Sequence, residues 1–175
     1  MDVLQFYAFS ADKPAGKGIG DLINDENEYS ELNQIKNWRR MFSSFWSESP
    51  FMFEGNTYKS FEHAYQASKF LVNGHIDFGS KFSLESNDKI STLVGKEVQK
   101  AGRILKLNSE EIKKWDIERG EIKKRIYRAK FTLVSLPGKA LMATNNSHLI
   151  NNGPRIKRIR CLRLEELREE LLNKK

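Results

Sequence analysis

The segment SFEHAYQASKFLV at residues 60–72 constrains the fold more than any other stretch of the chain. Ser60 sits where its hydroxyl can accept a hydrogen bond from a first-turn N–H, and Glu62 follows near the positive end of the helix dipole. Spaced as on a helix, Phe61, Ala64, Tyr65, Ser68 and Val72 form one flank, and His63, Ala67 and Phe70 another. Glu62, Gln66 and Lys69 share a narrow polar stripe between them. On periodicity alone, a solvated Glu62–Gln66 pair beside an exposed Lys69 fits slightly better than any functional arrangement. The apolar flanks argue for a largely buried helix whose stripe lines a walled cavity, the setting in which ionisable groups are tuned for catalysis.

Around this helix the chain reads as short, varied elements. FYAFS near the N-terminus has the alternation of a short strand, and ADKPAGKGIGD after it is a loop, since Pro14 and its glycines exclude a regular element. The GKGIG core has neither the Walker spacing nor a preceding βαβ context, so a plain surface loop fits it better than a phosphate loop. Its backbone N–H groups and Lys17 would still suit an anion. Residues 25–40 show near-helical spacing around Leu32 and Ile35, whereas RRMFSSFWSESPF is aromatic and interrupted by Pro50. FMFEGNTYKS predicts a hairpin turning at Glu54-Gly55-Asn56. Residues 88–106 carry helical spacing. A longer helix starts at Ser109, with Gly120 a place for a kink or break. Phe131–Thr144 is apolar with Pro137-Gly138 inside it, NNSHLINNGPR is turn-like, and Leu164, Leu167 and Leu171 mark the buried face of a last helix.

The 175 residues are enough for a real core and few for two domains, so one domain is expected. Hydrophobic residues at 39% and charged residues at 30% fit a globular chain rather than a disordered one. No apolar run approaches the roughly 20 residues that cross a bilayer, and MDVLQFYAFS lacks the order of a signal peptide. With Cys161 the single cysteine, no intramolecular disulfide can form, and the expected location is the cytosol or the nucleus. His63, His75 and His148 are not spaced as a zinc set, so no structural metal is expected. The net charge of +7 favours anionic partners, nucleotides or nucleic acid, about as well as it fits a merely soluble basic surface.

Several motifs follow one another in a recognisable order: ADKPAGKGIGD, YSELNQIKNWRRMFSSFW, SFEHAYQASKF, KAGR, WDIERGEIKKRIYRAKF and LMATNNSHL. Together they resemble the NADAR (YbiA-like) family of N-glycosidases over nearly the whole chain, with EHAYQASKF the most specific piece. The resemblance implies a compact single α+β domain over 1–175, predominantly helical with a small β-sheet. It implies hydrolysis of the N-glycosidic bond between a base or amine and C1 of a phosphorylated ribose, without a cofactor or metal. Substrates of that kind include ADP-ribose on guanine in nucleic acid and aminated pyrimidine ribosyl phosphates of the riboflavin pathway. The implied partners are thus a phosphorylated ribosyl or ADP-ribosyl substrate, extending to nucleic acid, and no membrane. A module that binds ADP-ribose or nucleic acid without hydrolysis would use the same pocket.

Carried over position by position, Glu62 and Lys69 fall on the family's acidic and basic positions and are the expected catalytic pair. A carboxylate at Glu62 can stabilise oxocarbenium character and activate water. Lys69 can instead attack a ring-opened C1 as a Schiff-base nucleophile if burial lowers its pKa. Lys17, Arg39, Phe45, Trp46, Gln66, Trp115, Asp116, Arg119, Asn145 and Arg155 are the expected substrate-binding residues. Gln66 would hold ribose hydroxyls, Trp46 would stack on a base from a loop, and Arg39 with Lys17 would meet a phosphate or pyrophosphate. Two departures stand out: Ser43-Ser44-Phe45 replaces the family's Ser-Asn-Phe turn, and where many members continue after the T-G-D-like segment with an acidic or tryptophan-glycine motif, this chain has Thr144-Asn145-Asn146 and then NNGPRIKRIRCLR. The run Arg155, Lys157, Arg158, Arg160 and Arg163 is read as a substrate-facing basic edge.

Overall fold

A computed structural model describes residues 1–154 and 157–175. In chain order its strands are β1 (Val3–Phe6), β2 (Phe51–Phe53), β3 (Asn56–Tyr58), β4 (His148–Asn151) and β5 (Ile159–Arg160). Its α-helices are α1 (Ser30–Asn33), α2 (Trp38–Met41), α3 (Phe61–Leu71), α4 (Ile76–Gly79), α5 (Lys96–Ala101), α6 (Ser109–Lys130), α7 (Leu136–Met142) and α8 (Leu162–Leu172). Short 3₁₀ turns lie at Glu26–Tyr29, Ser80–Phe82, Leu84–Ser86 and Lys89–Thr92. The chain is α+β, and it divides into two compact units.

The first unit joins the two chain ends, Met1–Ser44 and Phe131–Lys175. β1 pairs in parallel with β4, Val3 opposite His148 through Phe6 opposite Asn151, and β4 pairs antiparallel with β5. Only a long chain separation allows the parallel pair, because parallel strands cannot be joined by a tight turn. Leu4, Phe6, Leu32, Trp38, Phe42, Phe131 and Leu149 are buried here, and Leu164, Leu167 and Leu171 of α8 join that buried set as their spacing predicts. Arg160 binds Glu165 at 2.7 Å, and Glu165 also accepts from the Leu149 amide, so β5, β4 and α8 are tied by one carboxylate. In α7, Ser135 caps the N-terminus and Pro137 lies in the first turn, where its missing N–H costs nothing.

The second unit is Phe45–Lys130. β2 and β3 form the expected hairpin, turning at Glu54 (φ 49°) and Gly55 (φ 83°), the paired positive angles of a two-residue turn that matches strand twist. α3 runs through the middle of the unit with eight of its eleven residues buried. Ala64 and Ala67, both 0% exposed, let neighbouring elements approach its backbone, and Phe61 and Phe70 fill the space at either end. The Phe70 ring meets Phe78 at 4.6 Å and stacks over Phe82 at 6.1 Å.

α6 is one unbroken helix through Gly120. Its start is set by Asn108 rather than Ser109: the Asn108 side chain accepts from the Glu111 amide, and Glu111 reaches back to accept from the Asn108 amide. That is a reciprocal capping box. Ion pairs Glu110–Lys113 and Asp116–Arg119 lie along its exposed face. The helical spacing over 88–106, by contrast, is interrupted. Gly95 adopts φ 57°, ψ −130°, splitting the segment into a 3₁₀ turn and α5.

Candidate functional site

Among the described residues, each unit brings chemistry-bearing side chains together. In the second unit it is the polar stripe of α3. Ser60 caps the helix by accepting from the His63 amide, which places Glu62 in the first turn. The Glu62 carboxylate is 5% exposed and accepts a hydrogen bond from Gln66 Nε2 at 2.8 Å. Lys69, two turns further on, donates from Nζ to the carbonyl of Gly102 and lies 4.5 Å from the Phe70 ring centroid. Burial pushes the Lys69 ammonium below the usual lysine range, Glu62 opposes that, and Arg103 adds to it. The stripe is therefore walled by protein and not a solvated pair.

Gly102 of the KAGR motif and Tyr65 complete this cluster. A Cβ at Gly102 would fall 2.1 Å from Gln66 Oε1, so only glycine lets the Gln66 amide lie where it reaches Glu62. The Tyr65 ring meets Trp115 at 4.9 Å. Burial pushes the Tyr65 phenol up, while a hydrogen bond and the charge of Arg119 oppose the shift and Glu62 adds to it. Neither residue stands out from composition or spacing. Gly102 gains its part from a contact across 36 positions of sequence, and Tyr65 looks like one more aromatic on an apolar flank.

The other expected binding residues are placed as follows. Trp115 is 6% exposed and packs in the core, and Asp116 and Arg119 pair with each other at 3.2 Å on the outer part of α6. Trp46 lies on a loop, as expected, and is 8% exposed with its indole N–H donating to Ser49 Oγ at 2.9 Å. Phe45 beside it is half-buried. Asn145 sits at φ 50° and donates to the Glu28 carbonyl at 2.6 Å, a turn-holding contact. Arg155 lies outside the described residues. Of its basic neighbours, Lys157 and Arg158 are exposed, Arg163 is half-buried and Arg160 is held by Glu165.

The second place is in the first unit, where Arg39 organises the glycine loop. Its guanidinium is 3% exposed and binds Asp21 through both Nη atoms, at 3.1 and 2.6 Å. Three carbonyls take its remaining donors: Gln5 at 2.6 Å, Pro14 at 2.8 Å and Lys13 at 3.2 Å. Asp21 in turn accepts from the amides of Gln5, Gly16 and Gly18. A Cβ at Gly18 would lie 2.7 Å from the guanidinium, which explains a glycine there. Arg39 is thus compensated in charge and saturated in hydrogen bonds, the condition that makes burying an ion pair tolerable. Lys17 pairs with Glu26 at the surface. The loop residues Lys13, Gly18 and Ile19, with Phe6, Tyr7 and Asn152, border a cavity of about 340 Å³.

Among the described residues no group of three or more His, Cys, Asp or Glu side chains is arranged to hold a metal ion. No helix among them is long and apolar enough to cross a membrane. Against solved structures, the chain matches the NMR structure of the E. coli protein YbiA with a TM-score of 0.50, over 98% of this chain and 83% of that one. The fold is YbiA-like. At 18% identity the likeness to YbiA shows architecture alone. No protein-family model matches the chain, and no curated protein matches its sequence.

Proposed function

We propose that the protein is an N-glycosidase acting on a phosphorylated ribosyl group, with Glu62 as the residue that meets C1. The observation that carries this reading is the buried Glu62 carboxylate, held by Gln66 on the same helix face as an amine that burial pushes below its ordinary pKa. In the reaction, the bond between C1 and the base nitrogen breaks and the base leaves with the bonding pair, its nitrogen finally taking the proton that the attacking water gives up through Glu62. Water adds to C1, its proton passing to Glu62, whose negative charge also stabilises the cationic carbon. The net charge of +7 supports the more anionic of the candidate substrates, ADP-ribose carried on guanine in nucleic acid, over a pyrimidine ribosyl phosphate.

The lowered Lys69 pKa favours one variant of this chemistry, in which the neutral amine adds to the ring-opened C1, still joined to the base nitrogen as an imine, and expels the base as its amine, leaving a Schiff base that water then hydrolyses. Both forms are tested together. The protein is incubated with an ADP-ribosylated guanosine oligonucleotide and separately with a pyrimidine ribosyl phosphate, and released base is followed by mass spectrometry. Release from the oligonucleotide, reduced about 10²–10⁴-fold by Glu62→Gln, is expected. Borohydride added during turnover distinguishes the variants, since it fixes the ribosyl mass on Lys69 only if the Schiff base forms. Tight binding with no release from either substrate, unchanged in Glu62→Ala, would establish a binding module instead.

A further inference from the structure

In the proposed glycosidase reaction the departing base needs a proton before Glu62 has one to give. Glu62 stabilises C1 as a carboxylate and gains a proton only when water attacks. Hydrolysis of a glycosidic bond with one carboxylate acting on water requires a second group to protonate the leaving atom. On the polar stripe itself the other acid is Lys69, but its ammonium is directed to the Gly102 carbonyl.

Tyr65 stands beside both residues. It lies three positions after Glu62 and four before Lys69, at the edge of the same helix face, and is half-buried. Opposite it, Trp115, Arg119 and Lys123 recur every four residues along one face of α6, and all three reach the phenol. The Trp115 ring meets the Tyr65 ring at 4.9 Å, and the Lys123 ammonium lies 5.0 Å from the ring centroid. Arg119 and the Trp115 indole are both hydrogen-bonded to the hydroxyl. Guanidinium and indole can only donate, so they take the lone pairs of the phenol oxygen and leave its own proton directed to a third partner.

The charges around Tyr65 suit an acid that must lose a proton and recover it. Arg119 favours the phenolate, Lys123 adds positive charge over the ring, Glu62 of α3 opposes them, and Asp116 is paired with Arg119 at 3.2 Å. Burial holds the phenol in its protonated form, so the acid is loaded before the bond breaks. Phe61, stacked on the ring at 6.0 Å, helps to fix its orientation.

We propose that Tyr65 is the acid that protonates the leaving base, with Arg119 a positioning residue that receives the charge of the phenolate. This role rests on the glycosidase reading. As the bond from C1 to the base nitrogen breaks, the bonding pair goes to that nitrogen and the Tyr65 proton follows it. Water then adds to C1, its proton passes to Glu62, and Glu62 returns that proton to the phenolate. Over the cycle one water is consumed, and the protonated base and a C1 hydroxyl are formed.

The test is base release from the ADP-ribosylated guanosine oligonucleotide, measured against pH for the full chain, for Tyr65→Phe and for a chain with a ring-fluorinated tyrosine in place of Tyr65. Tyr65→Phe keeps the ring and is expected to lower kcat about 10²–10⁴-fold with KM and urea midpoint nearly unchanged. The fluorinated phenol is more acidic. It should keep activity near neutral pH and lose it on the alkaline side at lower pH than the unaltered chain, because the fraction carrying the proton falls earlier. A Tyr65→Phe chain as active as the unaltered one, a change confined to KM, or superposable pH profiles would overturn the role of Tyr65 and leave the Glu62 reaction standing. No release by the unaltered chain would instead refute the glycosidase reading, and this role with it, so the two failures are distinguishable.

Discussion

Gly102 shows how much a single residue can decide without carrying a functional group. Its carbonyl receives Lys69, and the space left by its missing side chain receives the Gln66 amide that holds Glu62. Its φ is −66°, so alanine fits the backbone there and the effect of substitution is purely one of crowding. Gly102→Ala is expected to displace Gln66 and to lower stability by about 1–3 kcal/mol in urea unfolding, the ordinary range for overpacking. In a Gln66→Ala background the same change should cost less, because the clashing amide is gone, and the double-mutant cycle measures the difference. Equal costs in both backgrounds would show that Gly102 acts on something other than Gln66. Arg39 gives the complementary lesson. The sequence shows a glycine loop and, in a separate segment, an arginine, but only the partners decide whether that charge faces a ligand or, as here, an aspartate.

At the scale of elements, local signals were readable wherever the chain satisfies its own backbone. Ser60 caps α3, Glu54-Gly55 turns the hairpin, and leucines at helical intervals make the buried face of α8. The spacing over 88–106 predicts one helix and fails because Gly95 takes an angle pair that no helix contains. Gly120 fails in the opposite direction, sitting inside a continuous α6 that its capping box and surface ion pairs support. A Cβ there would meet nothing within 4 Å. Gly120→Ala is therefore expected to stabilise the protein by about 0.5–1 kcal/mol, read as a higher urea midpoint, because it restricts the unfolded chain without crowding the folded one. A lower midpoint would mean that α6 needs the freedom of glycine at that turn.

For the whole molecule, stability should depend on pH through His63, which is fully buried on α3. Burial drives its pKa down from 6.5 to about 4, against a backbone hydrogen bond with Ile90 and with help from Lys59. In the unfolded chain this imidazole takes up a proton as pH falls below 6.5, whereas in the folded protein it stays neutral until about pH 4. The stability it contributes is therefore complete above that window and lost as pH falls through it, at up to about 1.4 kcal/mol per pH unit. Urea midpoints measured from pH 7 to 4.5 should decline, and His63→Asn should flatten the decline by about one proton's worth of slope. An unchanged slope would remove His63 as its source.

The central capped helix and the Glu62–Gln66–Lys69 stripe were legible in the chain because they rest on local spacing and capping, whereas the α+β class followed from the resemblance of its motifs. Periodicity could not say whether that stripe faced water. Burial of Glu62 and Gln66, the carbonyl that takes Lys69, the parallel pairing of β1 with β4, and the pairing of Arg39 with Asp21 all depend on residues far apart in sequence. Local sequence determines which face a side chain occupies, but charge and hydration are set by whatever packs against that face, and only the tertiary structure supplies it.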